Sequence, residues 1–203
     1  MDDDIAVDFF QLLLKAKEAK LNKQIMGYKQ IGLTPQRSTK SKWFVGQQEF
    51  PGKEYPIFLS GWAYVTDLPT AKALATAANA AKDFFWIDDV WITGMLAASV
   101  DASLVSLNTF YTVYVEHLRC CLDDQPDGDG LLQCDFAVGP SMDDLDLIVK
   151  LGKLAVKCHD DQHHCQRRQW QKSVIKTCVK VDNPFFLPSK GGVGEVFVLK
   201  NHL

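Results

Sequence analysis

Ile57-Phe58-Leu59-Ser60-Gly61-Trp62-Ala63-Tyr64-Val65-Thr66 runs straight into Asp67-Leu68-Pro69-Thr70 and an alanine-rich stretch that reaches Asp83. The first part mixes aromatic and aliphatic side chains behind the turn-rich Pro51-Gly52 and Tyr55-Pro56, and predicts a strand over 57–66. The second predicts a helix over 67–83, because alanine is the best helix former and proline suits a first helical turn. The same alternation continues on both sides. Upstream, Phe9, Phe10, Leu13, Leu14 and Ala16 form an apolar stripe at helical spacing within 7–20, with Asp4 and Asp8 ahead of it or in its first turn, where the helix dipole favours a carboxylate. A short strand is expected over 24–28, a polar loop over 29–42, and a second short strand at Lys42-Trp43-Phe44-Val45. Downstream, Phe84-Phe85-Trp86-Ile87 leads into Asp88-Asp89, which cap an apolar helix over 90–98, and strand-like runs follow at 103–107 and 110–117. Strands alternating with helices predict an α/β layered domain.

Beyond Asp123 the character changes. Residues 124–130 form a Pro/Gly/Asp loop, Ser141 is expected to cap a helix running to about Val156, and 158–172 is highly polar. The final stretch, 184–203, carries a Gly191-Gly192 turn and a short Val196-Phe197-Val198 strand. No internal repeat is present.

The chain has 203 residues, with 22 Lys and Arg against 25 Asp and Glu, 47% hydrophobic residues and a formal net charge of −3. That apolar share excludes a disordered solvating tail, and a balance so near zero excludes a nonspecific nucleic-acid binder. No stretch approaches the roughly 18 uninterrupted apolar residues of a membrane-spanning helix. Cys120, Cys121, Cys134, Cys158, Cys165 and Cys178 all lie in the second half. One to three bridges in an oxidising lumen and buried thiols in a reducing cytosol are both compatible with that distribution, and pairing cannot be read from spacing.

Three acidic clusters carry possible chemistry. Asp2-Asp3-Asp4 reads either as a solvated helix-capping start or as a hard-cation site, in which carboxylates supply one or two oxygens to Mg²⁺ or Mn²⁺ while a substrate phosphate supplies others. At Asp88-Asp89, capping accounts for one carboxylate, and Phe84, Phe85, Trp86 and Trp91 around the pair make a partly apolar wall in which a carboxylate can serve as a base. The third cluster, 123–129, has Pro126 inside and Cys134 where a calcium loop needs its bidentate Glu, so it is read as a loop. Cys158-His159 and His163-His164-Cys165 have metal-ligand residue types without a zinc spacing. His117 reads as a core or surface histidine, and no nucleophile elbow, Walker or dinucleotide motif is present.

The order of these motifs carries a resemblance. Asp2-Asp3-Asp4-Ile5-Ala6-Val7-Asp8, Gly27-Tyr28, Ser41-Lys42-Trp43-Phe44-Val45, Tyr55-Pro56 with Ser60-Gly61-Trp62-Ala63-Tyr64-Val65, and Asp88-Asp89-Val90-Trp91-Ile92-Thr93-Gly94 together resemble glycosyltransferase family thirty-one, the β-1,3-galactosyl- and N-acetylglucosaminyltransferases. The resemblance covers about residues 1 to 120. It implies a GT-A-like mixed sheet flanked by helices, Mn²⁺, UDP-galactose or UDP-N-acetylglucosamine as donor, and an acceptor glycan on a glycoprotein or glycolipid. It also implies the lumenal side of the Golgi membrane, with nucleic acid playing no part.

Carried across residue by residue, Asp2 and Asp4 resemble the metal-facing carboxylates of the DxD motif, with Asp3 near the ribose or sugar. Ser60, Gly61 and Trp62 would lie along the donor and acceptor cleft, with Trp43 beside it. Asp89 resembles the catalytic base, and Asp88 stands where the family has Glu. The resemblance further implies that the metal and base carboxylates serve one shared pocket. Leu59 replaces a family Cys, and the segment Asp135–Ser141 lacks the metal-binding His usual there, leaving that position to water or another ligand. The family places its anchor and first nucleotide-binding strands ahead of DxD, so the expectation is a partial chain lacking that half. Residues 1–157 would be the C-terminal part of the transferase domain, and 158–203 a divergent extension. Two other classes stay open: a catalytically silent glycan-binding or structural relative, and a small acidic interaction domain.

Overall fold

The strand expected over 57–66 forms as β3, Phe58–Thr66, and Asp67 ends it by starting a helix. Its side chain accepts from the Thr70 backbone N–H at 2.8 Å and from the Thr70 hydroxyl, which begins α2, Leu68–Ala80, with Pro69 in the first turn. The computed structural model describes residues 4–126, 130–160 and 165–179. In chain order the remaining strands, α-helices and π-helix are β1 (Ile5–Val7), α1 (Phe9–Ala19), β2 (Gln24–Gln30), a π-helix (Val90–Leu96) continuing as α3 (Ala97–Ser99), β4 (Ser103–Ser106), α4 (Val115–Asp123), β5 (Val138–Pro140), α5 (Leu145–His159) and α6 (Val174–Thr177). This is the mixed α/β architecture that the alternation predicts. Asp2, Asp3, His163, His164 and the expected turn and strand at 191–198 lie outside the described residues.

The described chain divides into two compact units, one holding residues up to Lys15 and from Thr109 onward, the other holding Ala16–Asn108. In the second unit β2 is the central strand of a mixed sheet, antiparallel to β3 and parallel to β4. Ile25 and Leu59, both fully buried, pack from this sheet against Leu74 of α2 and Leu96 and Ala97 of the π-helix and α3. A second cluster gathers Val45, Phe58, Phe85 and Val90.

The β2–β3 register matters most for the site. Gly27 pairs with Tyr64 and Lys29 with Leu59, so Tyr28 alone faces the four residues Ser60–Ala63. That wide bulge bends β3 and turns its backbone groups out of the ladder.

The first unit is built on an antiparallel pair, β1 with β5, in which Ile5, Ala6 and Val7 face Pro140, Gly139 and Val138. Asp8 caps α1 by accepting from the Gln11 backbone N–H at 3.0 Å, and its other oxygen lies 3.6 Å from His159 Nε2 at the end of α5. Three disulfides tie this unit together: Cys120–Cys178, Cys121–Cys134 and Cys158–Cys165. Both thiols at the ends of the Cys/His string are thereby engaged with each other rather than with a metal.

Several local expectations are corrected. Residues 42–45 do not form a strand. The Ser41 hydroxyl and carbonyl take the Trp43 and Phe44 N–H groups, folding a turn, and only Phe44 bridges to Gln36. The run 110–117 is not a strand either. Thr112 accepts from Tyr114 N–H, and Val115, Leu118 and Cys121, all buried, recur at helical spacing and make α4. His117 is a core histidine, 3% exposed, with Nδ1 2.6 Å from the Thr112 hydroxyl and its ring stacked on Phe136. Asp144, not Ser141, caps α5 by accepting from Leu147 N–H.

Candidate active site

Asp88 and Asp89 form the turn that enters the π-helix, where the expected α-helix begins instead with widened turns closed five residues apart, as from Ala97 N–H to Ile92 O. Such widened turns concentrate at functional positions. Asp88 is exposed and Asp89 half-buried. One carboxylate oxygen of Asp89 accepts from Val90 N–H at 2.8 Å and the other from Gly61 N–H at 3.2 Å. The Gly61 donor is available because the Ser60–Ala63 bulge has turned it away from β2. Gly94 lets the π-helix approach β3 closely: a Cβ there would stand 3.0 Å from Pro56 Cγ and 3.3 Å from Phe58 Cβ.

Thr93 completes the connection and was not singled out by its sequence context. Fully buried, its hydroxyl accepts from Leu59 N–H at 2.8 Å and lies 2.6 Å from the Asp89 carbonyl and 3.2 Å from the Leu59 carbonyl, either of which can take its proton. Thr93→Val keeps the shape and leaves the Leu59 N–H buried without that acceptor. The expected loss is about 1–3 kcal/mol of stability, read by urea unfolding. A change under about 0.5 kcal/mol, the scale of an uninvolved surface substitution, would show that the hydroxyl does not hold β3 to the helix.

The other residues expected in the cleft fall in the same unit. Ser60 and Trp62 are buried on β3, Trp62 with its ring stacked on Tyr28 at 5.9 Å, so both stand behind the wall rather than on it. Trp43 is about one-third exposed, stacked nearly parallel on Trp86 at 5.9 Å with Lys42 Nζ 5.0 Å over its ring. The loop that presents Trp43 is clamped by Arg37, which donates to the carbonyls of Val45, Gly46, Phe50 and Gly52. Tyr55 packs among Phe50, Phe58 and Phe85, and its buried hydroxyl has no hydrogen-bond partner among the described residues. Burial pushes its phenol up to about 12, with Arg37 drawing it down and the charges of Asp89 and Glu49 adding to the rise. Neither Arg37 nor the orphaned phenol carries a sequence signal, since each acts on backbone or on side chains distant along the chain.

Asp4 belongs to the first unit, and Asp88 and Asp89 to the second. The Asp4 carbonyl is pinned by the Ser141 N–H at 2.9 Å and hydroxyl at 2.7 Å. Its carboxylate has no hydrogen-bond or ion-pair partner among the described residues. No group of three or more His, Cys, Asp or Glu side chains is gathered for a metal among those residues. Asp4 directly precedes β1 and brings carboxylate oxygens, the donor type that hard dications such as Mg²⁺ and Mn²⁺ take.

Parts of the chain are similar in sequence to known proteins. Human acetylgalactosaminyl-O-glycosyl-glycoprotein β-1,3-N-acetylglucosaminyltransferase is 43% identical over 61 residues, 30% of this chain and 16% of that protein. Human β-1,3-galactosyltransferase 5 is 28% identical over 115 residues, 57% of this chain and 36% of that protein. Lactosylceramide 1,3-N-acetyl-β-D-glucosaminyltransferase B of Xenopus laevis is 31% identical over 93 residues, 45% and 25% respectively. The chain therefore spans 16–36% of the length of these three relatives. The family model described as galactosyltransferase matches residues 1–108, more than half of the 203, and takes in every motif from the acidic start to Gly94. This chain belongs to the galactosyltransferase family.

Proposed function

We propose that the protein is an inverting hexosyltransferase that moves galactose or N-acetylglucosamine from a UDP-sugar to a hydroxyl of an acceptor glycan in β-1,3 linkage. The observation that carries this reading is Asp89: a half-buried carboxylate at a helix entrance, oriented by two backbone N–H groups, in a stretch that resembles the family's base motif. A carboxylate so held takes the proton of the acceptor hydroxyl. The acceptor oxygen then bonds to the anomeric carbon as the bond from that carbon to the UDP oxygen breaks, and the configuration inverts. The logic is that of an inverting glycosidase with a sugar hydroxyl in place of water.

Asp2 and Asp4 would hold Mn²⁺, which when bound supplies positive charge against the departing diphosphate. Asp3 and Asp88 would face the donor, Trp43 would pack beside the cleft, and Ser60, Gly61 and Trp62 would fix the wall that positions Asp89. The fold reading is the C-terminal part of a GT-A domain over 1–157 with a divergent extension over 158–203. Three disulfides support an oxidising compartment, here the Golgi lumen.

The test is calorimetric titration of the full-length protein with UDP-galactose and UDP-N-acetylglucosamine, with and without Mn²⁺, alongside a transfer assay on galactose- and N-acetylglucosamine-terminated acceptors. Donor binding that requires Mn²⁺ and is lost in Asp4→Asn, together with transfer, is the expected result. Binding without transfer selects the silent relative, and absence of any Mn²⁺-dependent nucleotide-sugar binding ends the proposal.

A further inference from the structure

The sheet of the second unit holds a cation that the transferase reading does not use. β4 pairs with β2 as far as Gly27, and at Lys29 the side chain of Asn108 takes the place of a strand. Its Oδ1 accepts from Lys29 N–H at 2.7 Å and its Nδ2 donates to the Lys29 carbonyl at 3.1 Å, which fixes the root of the lysine. At the other end Nζ donates to the Leu104 carbonyl of β4 at 3.3 Å. A lysine that merely lays its stem over apolar surface keeps its head in water. Lys29 is half-buried and tethered at both ends, and its ammonium, with three donors to place, has no carboxylate partner among the described residues.

Lys29 borders a groove of about 350 Å³ that lies wholly within the second unit. Leu104 of β4, Gly94 of the π-helix and Ala98 of α3 line it, together with Pro56 and Ile57 on the approach to β3. The Thr93 hydroxyl, which also borders it, is already engaged by Leu59 and Asp89. The Lys29 ammonium is thus the side-chain group with bonding capacity to spare in an otherwise apolar lining.

Size, wall and charge select the occupant separately. The volume is at the small end of small-molecule sites. The wall calls for an apolar body, against which Ile57, 45% exposed, would lose contact with water. The ammonium calls for an anion. A single lysine, with no guanidinium fork and no second cation in the lining, matches one negative charge rather than a phosphate dianion. We infer that this groove binds a small apolar monocarboxylate, with its carboxylate on Lys29 Nζ and its apolar body against Ile57 and Ala98. Nothing in the inference depends on the role of Asp89, which does not line the groove.

Benzoate is the probe, with benzamide as its uncharged isostere and inorganic phosphate as an anion without an apolar body, each titrated into the full chain and followed by backbone amide shifts. Saturable benzoate shifts are expected at Lys29, Ile57, Gly94 and Ala98, with a Kd on the order of 1 mM, as befits a small fragment. Benzamide and phosphate each bind about tenfold more weakly or less, since each lacks one half of the match. Lys29→Met keeps the stem and brings benzoate down to the level of benzamide, whereas Lys29→Arg stays within about threefold of the parent. Ala98→Phe, at an exposed position of α3, fills the groove and abolishes the shifts. Should that variant melt early, the Lys29→Met and Lys29→Arg pair decides alone. Benzoate shifts that fail to saturate, or that survive Lys29→Met, overturn the inference. So does phosphate binding as tightly as benzoate, which would make Lys29 an ordinary surface cation.

Discussion

On the proposed transfer reaction, Asp89→Asn is expected to lower the rate about 10²–10⁴-fold, the contribution of a positioned general base, while the proposed Mn²⁺-dependent donor binding stays within about threefold of the parent. The two halves of that expectation come from different atoms. Asparagine is isosteric and keeps one oxygen, enough to accept from either Gly61 N–H or Val90 N–H, but its amide nitrogen then faces the other donor. The wall therefore loosens by one hydrogen bond, worth about 1 kcal/mol. The larger loss is chemical, since an amide cannot take the acceptor proton. Initial rates at saturating donor and acceptor separate these effects: kcat falls while the donor KM holds. Thr93→Val serves as the comparison, because it weakens the same β3–helix connection without touching the carboxylate. If Asp89→Asn retains turnover within about threefold of the parent, or if Thr93→Val loses as much activity, Asp89 is a structural cap and the base lies elsewhere.

The strand–helix pair Phe58–Thr66 and Leu68–Ala80 was legible in the sequence because propensity, a capping Asp67 and an early Pro69 agree over one short stretch. The π-helix was not legible. Its widened turns accompany contacts made across the fold, Gly94 against Pro56 and the Thr93 hydroxyl against Leu59, that no window around Val90–Leu96 contains. α4 was misread for a related reason. Phe110, Tyr111, Val113 and Tyr114 carry β-propensity, and only the burial of Val115, Leu118 and Cys121 on one side decides for a helix.

In the site, Asp89 and Gly61 were readable as motif residues, but the hydrogen bond between them exists only because four residues of β3 bulge opposite Tyr28. The Arg37 clamp and the Ser141 hold on Asp4 have backbone carbonyls as partners, and carbonyls are the same in every sequence. Trp62 was expected along the cleft from the resemblance of Ser60-Gly61-Trp62 to the family's motif. Burial against Tyr28 makes it a support for the wall.

The six cysteines carry the second large effect, and it concerns stability. Cys120 and Cys121 are adjacent in the last turn of α4 and leave it in different directions, to Cys178 across 58 residues and to Cys134 across 13. In the chain-entropy account, closing those loops in the unfolded state contributes about 4 and about 3 kcal/mol respectively. Together they approach the whole stability of an ordinary domain, about 5–15 kcal/mol. Alanine is the appropriate replacement, because Cys121 is fully buried and a serine hydroxyl there would add an unpaired polar group. The Cys120→Ala/Cys178→Ala pair is expected to cost more than Cys121→Ala/Cys134→Ala, by about 1 kcal/mol in urea unfolding, because the longer loop gains more freedom. The reverse order, or a cost under about 0.5 kcal/mol for either pair, would show that packing of Cys121, Cys134 and Val174 around α4 holds this unit without its bridges. The second unit contains no cysteine among Ala16–Asn108, so its sheet has no covalent tie of its own. Reduction with a phosphine should therefore collapse the signals of α4 and α6 in hydrogen exchange, while β2, β3 and the Asp89 turn lose no cross-link. If both pairs cost what their loops predict, the first unit reaches its folded state in quantity only where disulfides form. Secretion into an oxidising compartment should then yield folded protein, and expression in a reducing cytosol should yield mainly the unfolded first unit.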